Sequence, residues 1–184
     1  MKELQNLLQQ VATITQKNSE ILNATGGRFN MFRICGVNHY ENTHSAIIAE
    51  LLNPKGTHSL KSELLEAFLS LIDKDFVPTD FNPSNATVYT EYTTDKGRID
   101  ILIKDTNKNA LIIENKIYAE DQKEQIQNYI KYIYDELDEK ADIYVLYITL
   151  YGKKPSNASL GEFKLDGNYL KNGKQQAKFK SISY

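Results

Sequence analysis

The chain has 184 residues, with 22 Lys plus Arg against 24 Asp plus Glu and a formal net charge of −2. That length predicts one domain with a sizeable core, and the small net charge excludes a strongly basic polyanion binder and an acidic tail. A single cysteine, Cys35, excludes an internal disulfide and a thiolate zinc cluster. No apolar run approaches the roughly 20 residues a membrane-spanning helix needs, and Met1-Lys2-Glu3-Leu4-Gln5 lacks a signal-peptide core. The expectation is a cytoplasmic protein with no membrane partner.

In chain order, Leu4, Leu7, Leu8, Val11 and Ile14 recur at helical spacing, and Ile21 and Leu22 extend the stripe. This predicts an amphipathic helix over 3–23 that ends near Gly26-Gly27. After a turn-rich stretch, Asn42 or Thr43 is the expected cap of a second helix carrying Ala46, Ile47, Leu51 and Leu52, stopped by Asn53-Pro54-Lys55-Gly56. A third helix is expected from about Leu60 to Ile72, and Pro78 to Asn85 reads as a loop.

Beyond this point the period changes. Thr87 to Thr93, Arg98 to Lys104 and Ala110 to Ile117 are β-prone segments separated by Asp95-Lys96-Gly97 and by Asp105 to Asn109, which predicts an antiparallel meander. Ile126, Tyr129, Ile130, Ile133 and Leu137 then mark a helix over roughly 120–139, and Ile143 to Leu150 reads as a buried strand. A helix crossing between the third and fourth strands permits parallel pairing, so the sheet is expected to be mixed, with helices on both faces. Residues 151–184 carry seven lysines against Glu162 and Asp166, a local net charge of +5 beside −7 for the first 150 residues. Set among Gly, Asn and Ser, these lysines read either as a solvated, turn-rich extension or as a phosphate-binding surface.

The chemistry lies in the meander. If Thr106-Asn107-Lys108 is a three-residue hairpin loop, positions summing to 214 pair, and Asp100 stands opposite Glu114 at a Cβ separation of about 4.5–5.5 Å. A two-residue loop would instead set Asp100 opposite Ile113. Alternation puts Lys116 on the face of Glu114. An acid and an amine inside Leu111-Ile112-Ile113-Glu114-Asn115-Lys116-Ile117, a strand that reads as central, are unfavourable unless paired. A divalent cation shared by the two carboxylates relieves the conflict, and oxygen ligands suit Mg²⁺. Otherwise Glu114 merely pairs with Lys116 on a face open to solvent.

Gly97-Arg98-Ile99-Asp100, followed after thirteen residues by Glu114-Asn115-Lys116, resembles the core motif of the PD-(D/E)xK nuclease superfamily. Ile99 stands where the superfamily name has proline. Gln125 and Tyr129 are similar to the Gln-x-x-x-Tyr motif of its RecB-like and phage-exonuclease-like branches. Glu41-Asn42-Thr43-His44-Ser45, Leu51-Leu52-Asn53-Pro54 and His58 resemble the amino-terminal signature of a bacterial subfamily. The resemblance covers most of residues 29–150.

It implies an α/β (α+β) restriction-endonuclease-like fold of αβββαβ order. A central mixed four-stranded sheet would be flanked by helices, with extra N-terminal helices. A single domain would divide into a helical region over residues 1–75, a catalytic core at about 86–150 and the basic extension 151–184. The implied activity is Mg²⁺-dependent phosphodiester hydrolysis, with Mn²⁺ as a substitute ion, in DNA more than RNA. Phage defence, restriction and repair are the implied settings. Asp100, Glu114 and the carbonyl of Asn115 would hold the ion, with Glu50 or Glu41 completing the set, and Glu91 is a further upstream acid to consider. Lys116 would orient or deprotonate the attacking water or neutralise phosphoryl charge. Gln125 would position water or phosphate, supported by Tyr129 and Arg98. His44 and His58 are expected to cap or hydrogen-bond rather than bind zinc.

Lys153, Lys154, Lys174 and Lys178 are the candidate nucleic-acid contacts. A homodimer or another partner would supply specificity. Members of the resembled subfamily commonly continue past Ser181-Ile182-Ser183-Tyr184, so a truncated chain is also expected. The alternative reading is a module that keeps the nuclease fold for nucleic-acid or protein binding without catalysis.

Overall fold

The computed structural model describes residues 2–26, 29, 31–72, 76–77, 80–137 and 141–184. Gly27, Pro78, Thr79, Asp138 and Glu139, which the sequence assigns to a helix end, a loop and a helix tail, lie outside these ranges. The chain divides into two units, residues 1–38 and 39–184. In the first, α1 (Lys2–Ala24) forms where the leucine spacing predicts, and α2 (Met31–Ile34) is one turn. The stripe of Leu4, Leu7, Leu8, Val11 and Ile14 is exposed, and α1 has no buried residue among those described.

The second unit opens with two helices, α3 (Glu41–Leu52) and α4 (Glu63–Ile72). It is built on a sheet whose strands follow the expected meander: β1 (Thr87–Thr94), β2 (Gly97–Lys104) and β3 (Asn109–Lys116). The β2–β3 register pairs Ile101 with Ile113, Leu102 with Ile112 and Ile103 with Leu111, the pairing that a three-residue loop requires. Asp105 fixes that loop. Its Oδ1 accepts the amides of Asn107 (2.8 Å) and Asn109 (2.9 Å), its own amide donates to the Asn109 carbonyl (3.1 Å), and Lys108 takes the left-handed conformation at φ 65°. A short polar side chain bonded to the backbone two residues on is the physical basis of such turns.

Between β3 and β4 (Asp142–Thr149) runs α5 (Gln125–Leu137), and β4 pairs with β3 in parallel. Alternation then divides the core. Leu111, Ile113, Leu146 and Ile148 pack with Ala49, Leu52, Leu65 and Leu69, while Ala110, Ile112 and Val145 pack with Ile126, Tyr129, Ile130 and Ile133 of α5. With helices on both sides, β3 is buried along its whole length.

Four expectations are corrected. Helix α3 begins at Glu41 with Tyr40 at its N-cap and no side-chain cap bond, so Asn42 and Thr43 lie inside the first turn. Helix α4 starts at Glu63 rather than Leu60, because Ser59 (φ 61°) and Lys61 (φ 51°) hold a left-handed turn ahead of it. Helix α5 starts at Gln125 rather than near residue 120: Glu124 is left-handed at φ 57°, and its amide is taken by the Ala158 carbonyl. The largest change is at the C-terminus. Residues 157–183 are not a solvated extension but carry α6 (Asn157–Leu160), β5 (Lys164–Asp166), β6 (Tyr169–Asn172) and β7 (Gln175–Ser183).

These strands widen the expected four-stranded sheet to seven, in the order β1-β2-β3-β4-β7-β6-β5, with β7 parallel to β4. Leu160, Phe163, Leu170, Ala177 and Phe179 join the α5-side core. Lysines alternate with these core positions, Lys171 beside Leu170 and Lys178 and Lys180 beside Ala177 and Phe179, and that alternation is what makes the segment look solvated in sequence. Phe179→Ala is therefore expected to cost about 3–5 kcal/mol of stability. Lys171→Ala should stay within about 0.5 kcal/mol. Urea unfolding of both variants measures the contrast.

Candidate functional site

The C-terminal end of β3 is where polar groups enter this core. Glu114 shares the α5-side face with Ile112 and is fully buried. Its Oε1 accepts a hydrogen bond from Gln125 Nε2 at 2.8 Å and pairs with Lys116 Nζ at 2.8 Å, and its buried Oε2 has no hydrogen-bond partner among the described residues. Gln125 Nε2 also lies 2.9 Å from Tyr129 Oη, which donates to the Arg98 carbonyl at 2.6 Å. The i, i+4 spacing on α5 places both side chains over the strand end, so Tyr129 serves the apolar stripe with its ring and the site with its hydroxyl.

Asp100 continues the β2–β3 register opposite Glu114, one step past the last backbone pair, Ile101 with Ile113. There the ladder opens, and the Asp100 carboxylate takes the Asn115 amide at 2.9 Å. Across β1, the same position is occupied by Glu91, held in the left-handed region at φ 54° and ion-paired to Arg98 Nε at 2.5 Å. A non-glycine residue in that conformation inside a strand is strained, a feature that clusters at functional sites.

Helix α3 closes the other side. Glu41 Oε1 accepts the amides of Ile117 (2.7 Å), Tyr118 (3.0 Å) and Ala119 (2.9 Å), which prevents these residues from starting α5 early. Asn115 Nδ2 donates to Ser45 Oγ (3.1 Å) and to the Glu41 carbonyl (3.3 Å), while its Oδ1 accepts from the Tyr184 hydroxyl. Sequence reasoning missed Ser45, Tyr184 and the Asn115 amide. Only Ser45 left a signal, being one helical turn from Glu41.

Glu50 is engaged elsewhere. Its Oε1 accepts from the Thr57 amide (2.6 Å) and hydroxyl (2.7 Å), which hold its carboxyl below the usual range. His58 bonds the Asn53 carbonyl and the Leu60 amide, each at 3.0 Å, and His44 meets the Tyr184 ring edge-on at 5.8 Å.

Burial dominates the electrostatics. It pushes Asp100 up to about 6, assisted by Glu91 and Glu41 and opposed by the Asn115 amide and Lys116. Burial also raises Glu114 to about 8, with the Asp100 charge adding to the effect and Lys116 opposing it. For Lys116, burial works against its charge, but the Glu114 carboxylate, with Asp100 and Glu41 behind it, raises its pKa and holds it as the ammonium. Two raised carboxyls facing each other, one with an unpartnered buried oxygen, fit a hard divalent cation that takes oxygen ligands and keeps several waters. No three His, Cys, Asp or Glu side chains among the described residues gather to hold an ion by themselves, so an ion here would need backbone oxygen and water as further ligands.

Outside the sheet end, an open cleft of about 590 Å³ runs from Lys116 past Tyr118 and Tyr151 to Lys153 and Lys154. The Lys153 amide is tied to Thr149 Oγ1 at 2.7 Å, in the same sheet row as Lys116. Lys178 pairs with Tyr144 on β4, about 17 Å back along the strand, and Lys174 precedes β7 at about 30 Å from its Ser183 end. The fold thus brings Lys153 and Lys154 to the site and leaves Lys174 and Lys178 away from it.

Residues 29–184 match the sequence model of a family described as the PD-(D/E)XK nuclease superfamily. No curated protein and no solved structure matches the chain.

The two raised carboxyls set a pH dependence. Above about pH 4 the unfolded chain gives up protons that folded Asp100 and Glu114 retain, so this contribution to stability is lost as pH rises through about 6 to about 8. Thermal unfolding in chelator should show a fall in Tm across that window, and Asp100→Asn combined with Glu114→Gln should flatten it.

Proposed function

Since the chain belongs to the PD-(D/E)XK nuclease superfamily, we propose that it is a divalent-metal-dependent nuclease that hydrolyses phosphodiester bonds in DNA, with Mg²⁺ as its ion and Mn²⁺ as a substitute. One observation carries the reading: a fully buried carboxylate, Glu114, with a free oxygen beside Asp100, on a strand that otherwise holds only packed side chains. Lys116 sets one positive charge against two facing carboxyls, so ionising both in this buried setting costs several kcal/mol, and a cation is the simplest compensation for the second charge.

Asp100, Glu114 and the Asn115 carbonyl are the ligands in this reading. The bound ion supplies Lewis-acid stabilisation of the phosphoryl oxygens and lowers the pKa of water. Lys116, kept as the ammonium by its acidic neighbours, sets a positive charge beside the scissile phosphate and restrains the water that attacks it. Gln125 steadies Glu114, and Tyr129 fixes Gln125 against the Arg98 carbonyl, so both are positioning residues. Of the upstream acids, Glu41 is favoured over Glu50, because its charge acts on Asp100, Glu114 and Lys116 although its Oε1 already holds the 117–119 amides.

The test is incubation with supercoiled and linear DNA, single-stranded DNA and RNA, each with Mg²⁺, Mn²⁺ or EDTA. Cleavage should require the ion. Asp100→Ala and Lys116→Ala should each reduce the rate by about 10²-fold or more, with circular dichroism confirming the fold. Cleavage that survives either substitution would overturn the site assignment, and a folded protein that cuts none of these substrates would overturn the activity.

A further inference from the structure

Exposed aromatic rings surround the candidate site. Tyr118 and Tyr151 are 67% and 80% exposed, yet both line the 590 Å³ cleft that holds Lys116, Lys153 and Lys154. On its other side Tyr118 borders a second cleft, of about 430 Å³, where the His39 and Tyr40 rings lie 4.2 Å apart. Neither tyrosine contributes to the core, so packing does not account for them.

Their backbones are braced. The Glu41 carboxylate binds the amides of 117–119, and Ser181 Oγ donates to the carbonyls of Gly152 (3.1 Å) and Lys153 (2.6 Å). Asp121, also in the cleft wall, is engaged by the Tyr147 hydroxyl and by the Ser156 amide at 2.5 Å, which joins the two loops. Glu120 is the remaining acid there, against three lysines. Rings carried on braced backbone, open to solvent and set beside cations are suited to stacking of unpaired bases. A duplex keeps its base faces stacked inside and offers only phosphates and groove edges.

Resting on the nuclease reading, we propose that the segment bound at this site is single-stranded nucleic acid. Its bases stack on Tyr118 and Tyr151, its phosphates lie against Lys153 and Lys154, and the His39–Tyr40 pair extends the aromatic path. The recognising chemistry is common to DNA and RNA single strands.

The experiment is fluorescence anisotropy in EDTA, with labelled single-stranded DNA, single-stranded RNA and blunt duplex DNA. Binding is thereby measured apart from cleavage. The protein should bind single strands more tightly than duplex, with the DNA and RNA arms identifying which backbone is preferred. Tyr118→Ala and Tyr151→Ala should each weaken single-strand binding about tenfold, while Tyr118→Phe and Tyr151→Phe retain it. Lys153→Ala with Lys154→Ala should reduce the slope of log K against log salt by about 1.4.

Equal or tighter duplex binding, or alanine variants that bind single strands like the parent, would overturn this inference even if Asp100-dependent cleavage is found. Tyrosine-dependent single-strand binding without cleavage would uphold it and overturn the nuclease reading instead.

Discussion

The constraint on which this molecule turns is that β3 is buried on both faces from Asn109 to Lys116 while its last three residues are Glu, Asn and Lys. A strand covered on both sides cannot leave charge to water, so each polar group at its end must find a partner in a neighbouring element. Glu114 finds Lys116 and Gln125, the Asn115 amide finds Asp100, and the Asn115 side chain finds Ser45, the Glu41 carbonyl and Tyr184. Among the described residues Glu114 Oε2 is left without a hydrogen bond, as is Glu91 Oε1 across β2, and these oxygens point to the chemistry.

That network also explains why the surrounding elements begin and end where they do. Asp100 replaces a backbone partner at the point where β2 and β3 separate, so the ladder opens without leaving the Asn115 amide unpaired. Glu41 gathers three consecutive amides and turns the chain out of β3, which delays α5 until Gln125 can reach Glu114. Interactions that shape the site are thus the same ones that terminate a strand and launch a helix. Substitution of Glu41, Gln125 or Asn115 would disturb both at once.

The small net charge of the whole chain conceals this division of labour. Acidic groups concentrate at the sheet end, where burial holds Asp100 and Glu114 well above ordinary carboxyl values. Lys153 and Lys154, from the basic C-terminal stretch, return to the rim of the same cleft. An acidic centre beside a basic, aromatic rim suits the polyanionic partner proposed above although the sum is −2.

Much of the core was legible in the sequence. Period-two alternation left the β2–β3 register to the length of the hairpin loop, and the three-residue turn that Asp105 holds selects it. The register in turn set Asp100 across from Glu114, and i, i+4 spacing linked Gln125 to Tyr129. Three features were decided only by tertiary structure. The lysine-rich residues 164–183 form strands because alternate side chains, as at Leu170, Ala177 and Phe179, join the core on the α5 side of the sheet, a surface that no local pattern reveals. Glu41 and Glu50, both plausible acids on one helix, part ways because the 117–119 amides lie near one and Thr57 near the other. Finally, the exposure of Tyr118 and Tyr151 depends on loops braced by residues far away in the chain. Local spacing fixes which groups can share a face; long-range packing alone decides which of them meet, and which are left open to a ligand.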